Sequence, residues 1–104
     1  MKDNVVKDKS LEFAVRIVNL YKFLVNEQKE FVMSKQILRS GTSIGANIRE
    51  AEQAQSRADF INKLNIALKE ANETEYWLEL LIRTEYITRE QYESCLLYTS
   101  DAAD

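Results

Sequence analysis

No proline interrupts this chain, and only two glycines do. These two residue types are the strongest local breaks in regular structure, and sheet proteins of this size place several of them at their turns. Their scarcity restricts the chain to long helices with few connections. The apolar residues carry the matching period, recurring at steps of three and four, which gathers side chains on one face of an α-helix. At 104 residues the chain fits a single domain, and 45% hydrophobic with 30% charged side chains suits amphipathic helices.

Four helices follow from the pattern. The first is expected over residues 10–26, with Ser10 capping its free backbone N–H groups and residues 1–8 as a frayed lead-in. Its inward face would carry Leu11, Ala14, Ile17, Val18, Tyr21, Leu24 and Val25. After a polar connector at residues 27–30, a second helix over 30–54 presents Phe31, Ser34, Ile37, Gly41, Ile44, Ile48 and Ala51. Gly41 and Gly45 invite a loop at residues 40–43, because each glycine costs a helix about 1 kcal/mol relative to alanine. The seam keeps its phase across both, so one continuous helix is expected, with the small residues allowing a close neighbour.

Ser56 followed by Asp59 is close to a capping box and starts a third helix over 57–84, the longest. It would bury Phe60, Leu64, Ala67, Ala71, Thr74, Leu78 and Leu81. Trp77 and Tyr76 add aromatic bulk suited to closing a core or a subunit contact. Thr88-Arg89-Glu90-Gln91 is a full capping box with Ile87 poised to pack on Tyr92, so a fourth helix begins at Arg89. Helices joined by short connectors describe an all-α, up-down-up-down antiparallel four-helix bundle.

Several function classes fall away. There is no histidine, hence neither the commonest metal ligand nor the commonest general base. No apolar run is long enough to cross a bilayer, and the first residues lack the character of a signal peptide, so no membrane partner and a cytoplasmic location are expected. The net charge of −3 does not suit indiscriminate wrapping of nucleic acid.

The last ten residues, 95–104, resemble the in-frame translation of a transposase-type sequencing adapter. On that reading the domain is residues 1–94, the natural fourth helix is truncated after about Ser94, and Cys95 carries no inference; on the alternative reading, with which the periodicity is equally consistent, Leu96 and Leu97 simply continue that helix. Removing Asp101 and Asp104 from the 17 acidic side chains leaves 15 against 14 basic ones, a chain close to neutral.

The segments Gln36–Ala51, Phe60–Ala71 and Glu75–Leu81, with Ser43-Ile44-x-x-Asn47-Ile48-x-Glu50 at their centre, resemble the bacterial four-helix bundle family also called the 23S rRNA intervening sequence protein. The resemblance covers residues 10–94. It implies a bundle that assembles into a ring-shaped homopentamer. Some members of the family are encoded within insertions in 23S rRNA genes. A related branch comprises the accessory proteins of diversity-generating retroelements, similar but markedly basic pentamers that bind a reverse transcriptase and nucleic acid. The near-neutral balance here favours the first branch.

Two polar strips flank the seams. Arg39, Ser43, Asn47 and Glu50 share a stripe on the second helix, and Asn65, Lys69, Glu70, Asn72 and Glu73 lie on the third. The structural reading is that Asn47 and Glu50 bond to groups on helix three while Lys69 or Arg49 compensates charge, fixing register or subunit contacts. A dimetal site would need Glu-x-x-His pairs that the chain lacks, and Ser43 has no base to activate it, so neither catalytic residues nor a cofactor is expected. The basic residues are interleaved with acids, as on a solvated surface. Repeated around a ring, even a small basic patch would gain by avidity, which makes Arg39, Arg49 and Arg57 the candidate nucleic-acid contacts. The leading expectation is a non-enzymatic self-assembling scaffold or interaction module acting on itself or a protein partner. The alternative is an accessory protein binding RNA or single-stranded DNA.

Overall fold

The computed structural model describes the backbone of residues 2–103 and the side chains of residues 5–96. Four helices form among the described residues: α1 (Lys2–Asn26), α2 (Met33–Glu52), α3 (Arg57–Arg83) and α4 (Arg89–Ala103). Packing between α1 and α2, α2 and α3, α3 and α4, and α4 and α1 closes an antiparallel four-helix bundle. Consequently α1 and α3 run parallel on one diagonal, and α2 and α4 occupy the other. The body measures 43 × 24 × 19 Å, its long dimension set by α3, whose 27 residues span about 40 Å.

The core forms where the helical seams converge. Phe13, Ile17, Leu20 and Leu24 of α1 meet Ile37, Ile44 and Ile48 of α2, with Ala67, Ala71, Leu78 and Leu81 of α3 closing the space. Gly41 and Gly45 both lie inside α2, so the helix is continuous as its seam requires. A Cβ on Gly41 would sit 2.8 Å from Ile17 Cγ1, and one on Gly45 would sit 3.2 Å from the Ser10 hydroxyl. The two glycines therefore set how closely α1 approaches α2.

Two boundaries differ from the sequence reading. First, α1 begins near Lys2, so Ser10 is an interior residue: it is buried and donates to the Lys7 carbonyl at 2.8 Å instead of capping. Val6 packing on the core and a Lys7–Glu52 ion pair at 3.3 Å hold the added turns. Met1 lies outside the described residues. Second, α2 starts at Met33, because Glu30 ends the connector as a capping side chain, and Phe31 is left 53% exposed. The carboxylate of Glu30, itself buried, accepts from the backbone N–H groups of Val32 (3.2 Å), Met33 (2.9 Å) and Ser34 (2.7 Å). Such a side chain satisfies donors that a helix start leaves without partners. The fourth helix starts at Arg89 as expected, and its Cys95 and Leu96 pack into or against the core. The side chains of residues 97–104 lie outside the described residues.

The remaining caps form as expected. Ser56 Oγ accepts from Asp59 N at 3.1 Å. Thr88 N donates to Gln91 Oε1 at 2.8 Å while Gln91 N donates to Thr88 Oγ1 at 3.1 Å, and Ile87 is buried beside them. At the end of α3 the N–H of Tyr86 returns to Leu81 O (2.9 Å) and that of Glu85 to Ile82 O (3.1 Å), a Schellman closure. Glu85 holds φ 68° there, a left-handed conformation that glycine usually supplies.

Candidate functional site

Two neighbouring surfaces concentrate the polar and apolar features that the core does not absorb. The first is the seam between α2 and α3. Arg39, two residues before Gly41, reaches across to α3, where its guanidinium pairs with Glu70 at 3.2 Å and with Glu73. Glu73 also accepts from Trp77 Nε1 at 3.0 Å, which orients the indole over the bundle edge. Beneath the ion pairs the buried Ser40 and Thr74 hydroxyls lie 2.9 Å apart, and Thr74 donates to the Glu70 carbonyl at 2.8 Å. About three helical turns further along α2, toward the α2–α3 connection, Glu50 pairs with Lys63 at 2.9 Å, an interaction that raises the Lys63 pKa above its ordinary value through the hydrogen bond and the charge of Glu50. These contacts make a register clamp between two antiparallel helices.

The clamp uses some of the expected residues and not others. Glu50, Glu70 and Glu73 all bond across the α2–α3 seam. The compensating cations are Lys63 and Arg39; Lys69 and Arg49 are exposed and form no ion pair among the described residues. Asn47 does not reach α3: its amide donates to the Ser43 carbonyl at 2.9 Å, and the Ser43 hydroxyl donates to the Arg39 carbonyl at 2.6 Å. Polar side chains on a helix bond to their own preceding turn whenever the facing helix offers no partner at the right height. Arg39 is occupied by two carboxylates, whereas Arg49 and Arg57 are exposed at the α2–α3 end and form no ion pair among the described residues. Lys63, Ser40 and Thr74 are the participants that sequence reasoning missed. The seam position of Thr74 was legible, but its partner was not.

Carboxylates tied to Arg39 are poorly placed to bind a metal, and among the described residues no group of three His, Cys, Asp or Glu could hold one. Burial pushes the Cys95 thiol up to about 11, the opposite of what a nucleophile needs.

The second surface is a mixed polar and apolar one on α3 and α4. The α4 side of α3 forms an open groove with Tyr92 and Leu96, lined by Asn72, Glu75, Tyr76 and Glu79. Beyond it, toward the start of α3, Phe60, Ile61, Leu64 and Leu68 are 42%, 44%, 38% and 49% exposed. Phe60 and Leu64 were expected in the core. They keep the phase of the seam but lie at the start of α3, next to the α2–α3 connection, where they are partly open. A second stripe lies on the outer face of α1, where Leu11 and Val15 are 51% and 55% exposed. Leu11 too was expected inside; Phe13 and Leu20 occupy the core instead, one position round the helix.

The family model described as 23S rRNA-intervening sequence protein matches residues 2–102. The chain belongs to that family. A solved structure from Bacteroides thetaiotaomicron VPI-5482, described as a protein of unknown function from the S23 ribosomal protein family, is 91% identical. The match covers 99% of this chain and 92% of that one, with a TM-score of 0.97. Comparison with curated proteins finds no match. The bundle described above is thus a family architecture. No helix among the described residues is long and apolar enough to cross a membrane.

Proposed function

We propose that this member of the 23S rRNA-intervening sequence protein family is a non-enzymatic scaffold that acts by assembling with itself in the cytoplasm, as a ring-shaped homopentamer. The observation that carries the reading is the pair of apolar stripes left open on α1 and α3, four of whose side chains, Leu11, Val15, Ile61 and Leu68, are more than two-fifths exposed. Contiguous apolar surface of this kind is seldom left open to water and marks a contact surface. Of the polar residues in the family motif, Glu50 serves the α2–α3 clamp, while Ser43 and Asn47 bond within α2. A site for chemistry is not needed on this reading.

A nucleic-acid accessory role is the second reading, supported by Arg49 and Arg57, which stand exposed near one end of the bundle and form no ion pair among the described residues. In a ring these cations would recur around the axis and add by avidity. Sedimentation velocity, with and without a short single-stranded RNA at low salt, separates the two. A discrete oligomer indifferent to RNA is expected; a monomer at all concentrations refutes the scaffold. Salt-sensitive growth with RNA, lost in an Arg49→Ala/Arg57→Ala protein, would establish the second reading.

A further inference from the structure

Among the described residues, the glutamates withdrawn from solvent are Glu30, Glu70, Glu73 and Glu75. Glu30 accepts three backbone N–H groups, and Glu70 and Glu73 share the Arg39 guanidinium. Glu75 is the exception. Half-buried on α3, it takes neither a hydrogen bond nor an ion pair among the described residues. Drawing a carboxylate away from water without a compensating donor is costly, so a group of this kind calls for a partner.

Its surroundings show what that partner must be. Glu75 lines the groove between α3 and the first turns of α4, together with Glu79 and the rings of Tyr76 and Tyr92. Glu75 and Glu79 stand one helical turn apart, about 5–6 Å at Cβ, so their charges repel each other. Arg83 reaches Glu79 at 2.6 Å from the following turn and leaves Glu75 unserved. Both members of that bridge are at least half exposed, so another cation can take the place of Arg83. Tyr76 is fixed edge-on to Trp77, with ring centroids 5.1 Å apart. Tyr92 holds the Arg89 guanidinium 5.9 Å from its centroid, so this ring already accommodates a cation.

Two carboxylates a turn apart beside two aromatic rings suit a molecule that carries two ammonium groups on a short apolar chain. A hard metal ion fits poorly, because it takes about six or more oxygen ligands and only these two carboxylates converge. We propose that the α3–α4 groove binds a short aliphatic diamine, one ammonium group on Glu75 and the other on Glu79, with the methylene chain against Tyr76 and Tyr92. A chain of about four or five carbons spans the separation of the carboxylates. This site goes beyond the self-assembly proposed above and does not depend on it.

Amide NMR titrations of the full chain at constant ionic strength test the site, with 1,4-diaminobutane as the probe and butylamine as the singly charged comparison. Saturating shifts should centre on Glu75, Tyr76, Glu79 and Tyr92, and Trp77 fluorescence should follow them through Tyr76. The diamine should bind about tenfold more tightly than butylamine, since its second contact is made within an already bound molecule. Glu75→Gln removes no contact within the chain, so it should keep a dispersed native spectrum while the diamine falls to the affinity of butylamine. Glu12→Gln, at an exposed acid on α1, should leave binding unchanged. No saturation, equal affinity for butylamine, an equal loss in Glu12→Gln or shifts spread over every acidic residue would each overturn the site. N-acetyl-lysine methylamide, which carries one ammonium, should bind no better than butylamine; affinity matching the diamine would overturn the diamine in favour of a lysine side chain.

Discussion

The two glycines of α2 offer a paired test of how closely α1 is packed. Alanine at either position gains about 1 kcal/mol in helix propensity, so packing decides the sign. At Gly41 the new Cβ would meet Ile17 Cγ1 at 2.8 Å, Cγ2 at 2.9 Å and Cβ at 3.2 Å. Ile17 is fully buried, and its branched Cβ leaves it one favoured rotamer in a helix, so it cannot swing aside. Overpacking of this kind costs about 2–3 kcal/mol, which leaves Gly41→Ala about 1–2 kcal/mol less stable than wild type. At Gly45 the nearest atom is the Ser10 hydroxyl at 3.2 Å, followed by contacts at 3.5 Å, so a shift of a few tenths of an ångström suffices. Gly45→Ala is therefore expected to be neutral or up to about 0.5 kcal/mol more stable. Urea titrations followed by helical circular dichroism at one protein concentration should separate the two by about 2 kcal/mol, roughly 8–16 °C in Tm. Combining Gly41→Ala with Ile17→Ala should recover at least about 1 kcal/mol relative to additivity, because both clashing carbons are removed. A Gly41→Ala protein as stable as Gly45→Ala would refute the close approach on which the α1–α2 packing is argued.

Four further outcomes follow from the same contacts. Glu30→Ala removes three acceptor contacts from the start of α2 and should cost about 1–2 kcal/mol, with faster amide exchange at Val32, Met33 and Ser34; unchanged exchange there would contradict the cap. Arg39→Ala leaves Glu70 and Glu73 without their cation, and because Arg39 is half exposed the loss should be only about 0.5–1 kcal/mol, accompanied by a change in Trp77 fluorescence through Glu73. Glu85→Gly should stabilise by up to about 1 kcal/mol by relieving the left-handed strain, read as a higher urea midpoint. For Cys95 the folded thiol at about 11 lies above the ordinary 9.0, so the folded state holds its proton more tightly. The associated stability, roughly 1–3 kcal/mol, is fully present below pH 9 and is lost as pH rises toward 11; Cys95→Ala should show a correspondingly flatter alkaline profile.

Placement of the clamp residues shows how far a pattern reaches. Glu50, Glu70 and Glu73 could be singled out because their spacing put them beside an apolar seam, and all three bond between α2 and α3. Choosing their cations required the heights at which two antiparallel helices meet, and these bring Arg39 and Lys63 into reach instead of Lys69 and Arg49. Arg39 had been grouped with Arg49 and Arg57 as a candidate phosphate contact. Charge and spacing alone cannot distinguish a cation with a carboxylate partner on the next helix from one facing solvent.

Helix number, the continuity of α2 through its glycines, the caps at Ser56 and Thr88 and the inward face of α2 were all determined by the sequence itself, since each depends on contacts within a few residues and on a period that two turns suffice to define. Family membership was likewise legible, in the motif around Asn47 and Glu50. On α1 the inward places of Ile17 and Leu24 were legible, but that Phe13 and Leu20 join them while Leu11 stays outside was decided only by tertiary structure, in which Gly41 of α2 packs against Ile17. The same holds for Phe60 and Leu64, which have the phase of core residues yet stay open. Phase fixes the direction in which a side chain points, whereas burial also requires a neighbouring helix at that height, which emerges only when the four helices are packed together.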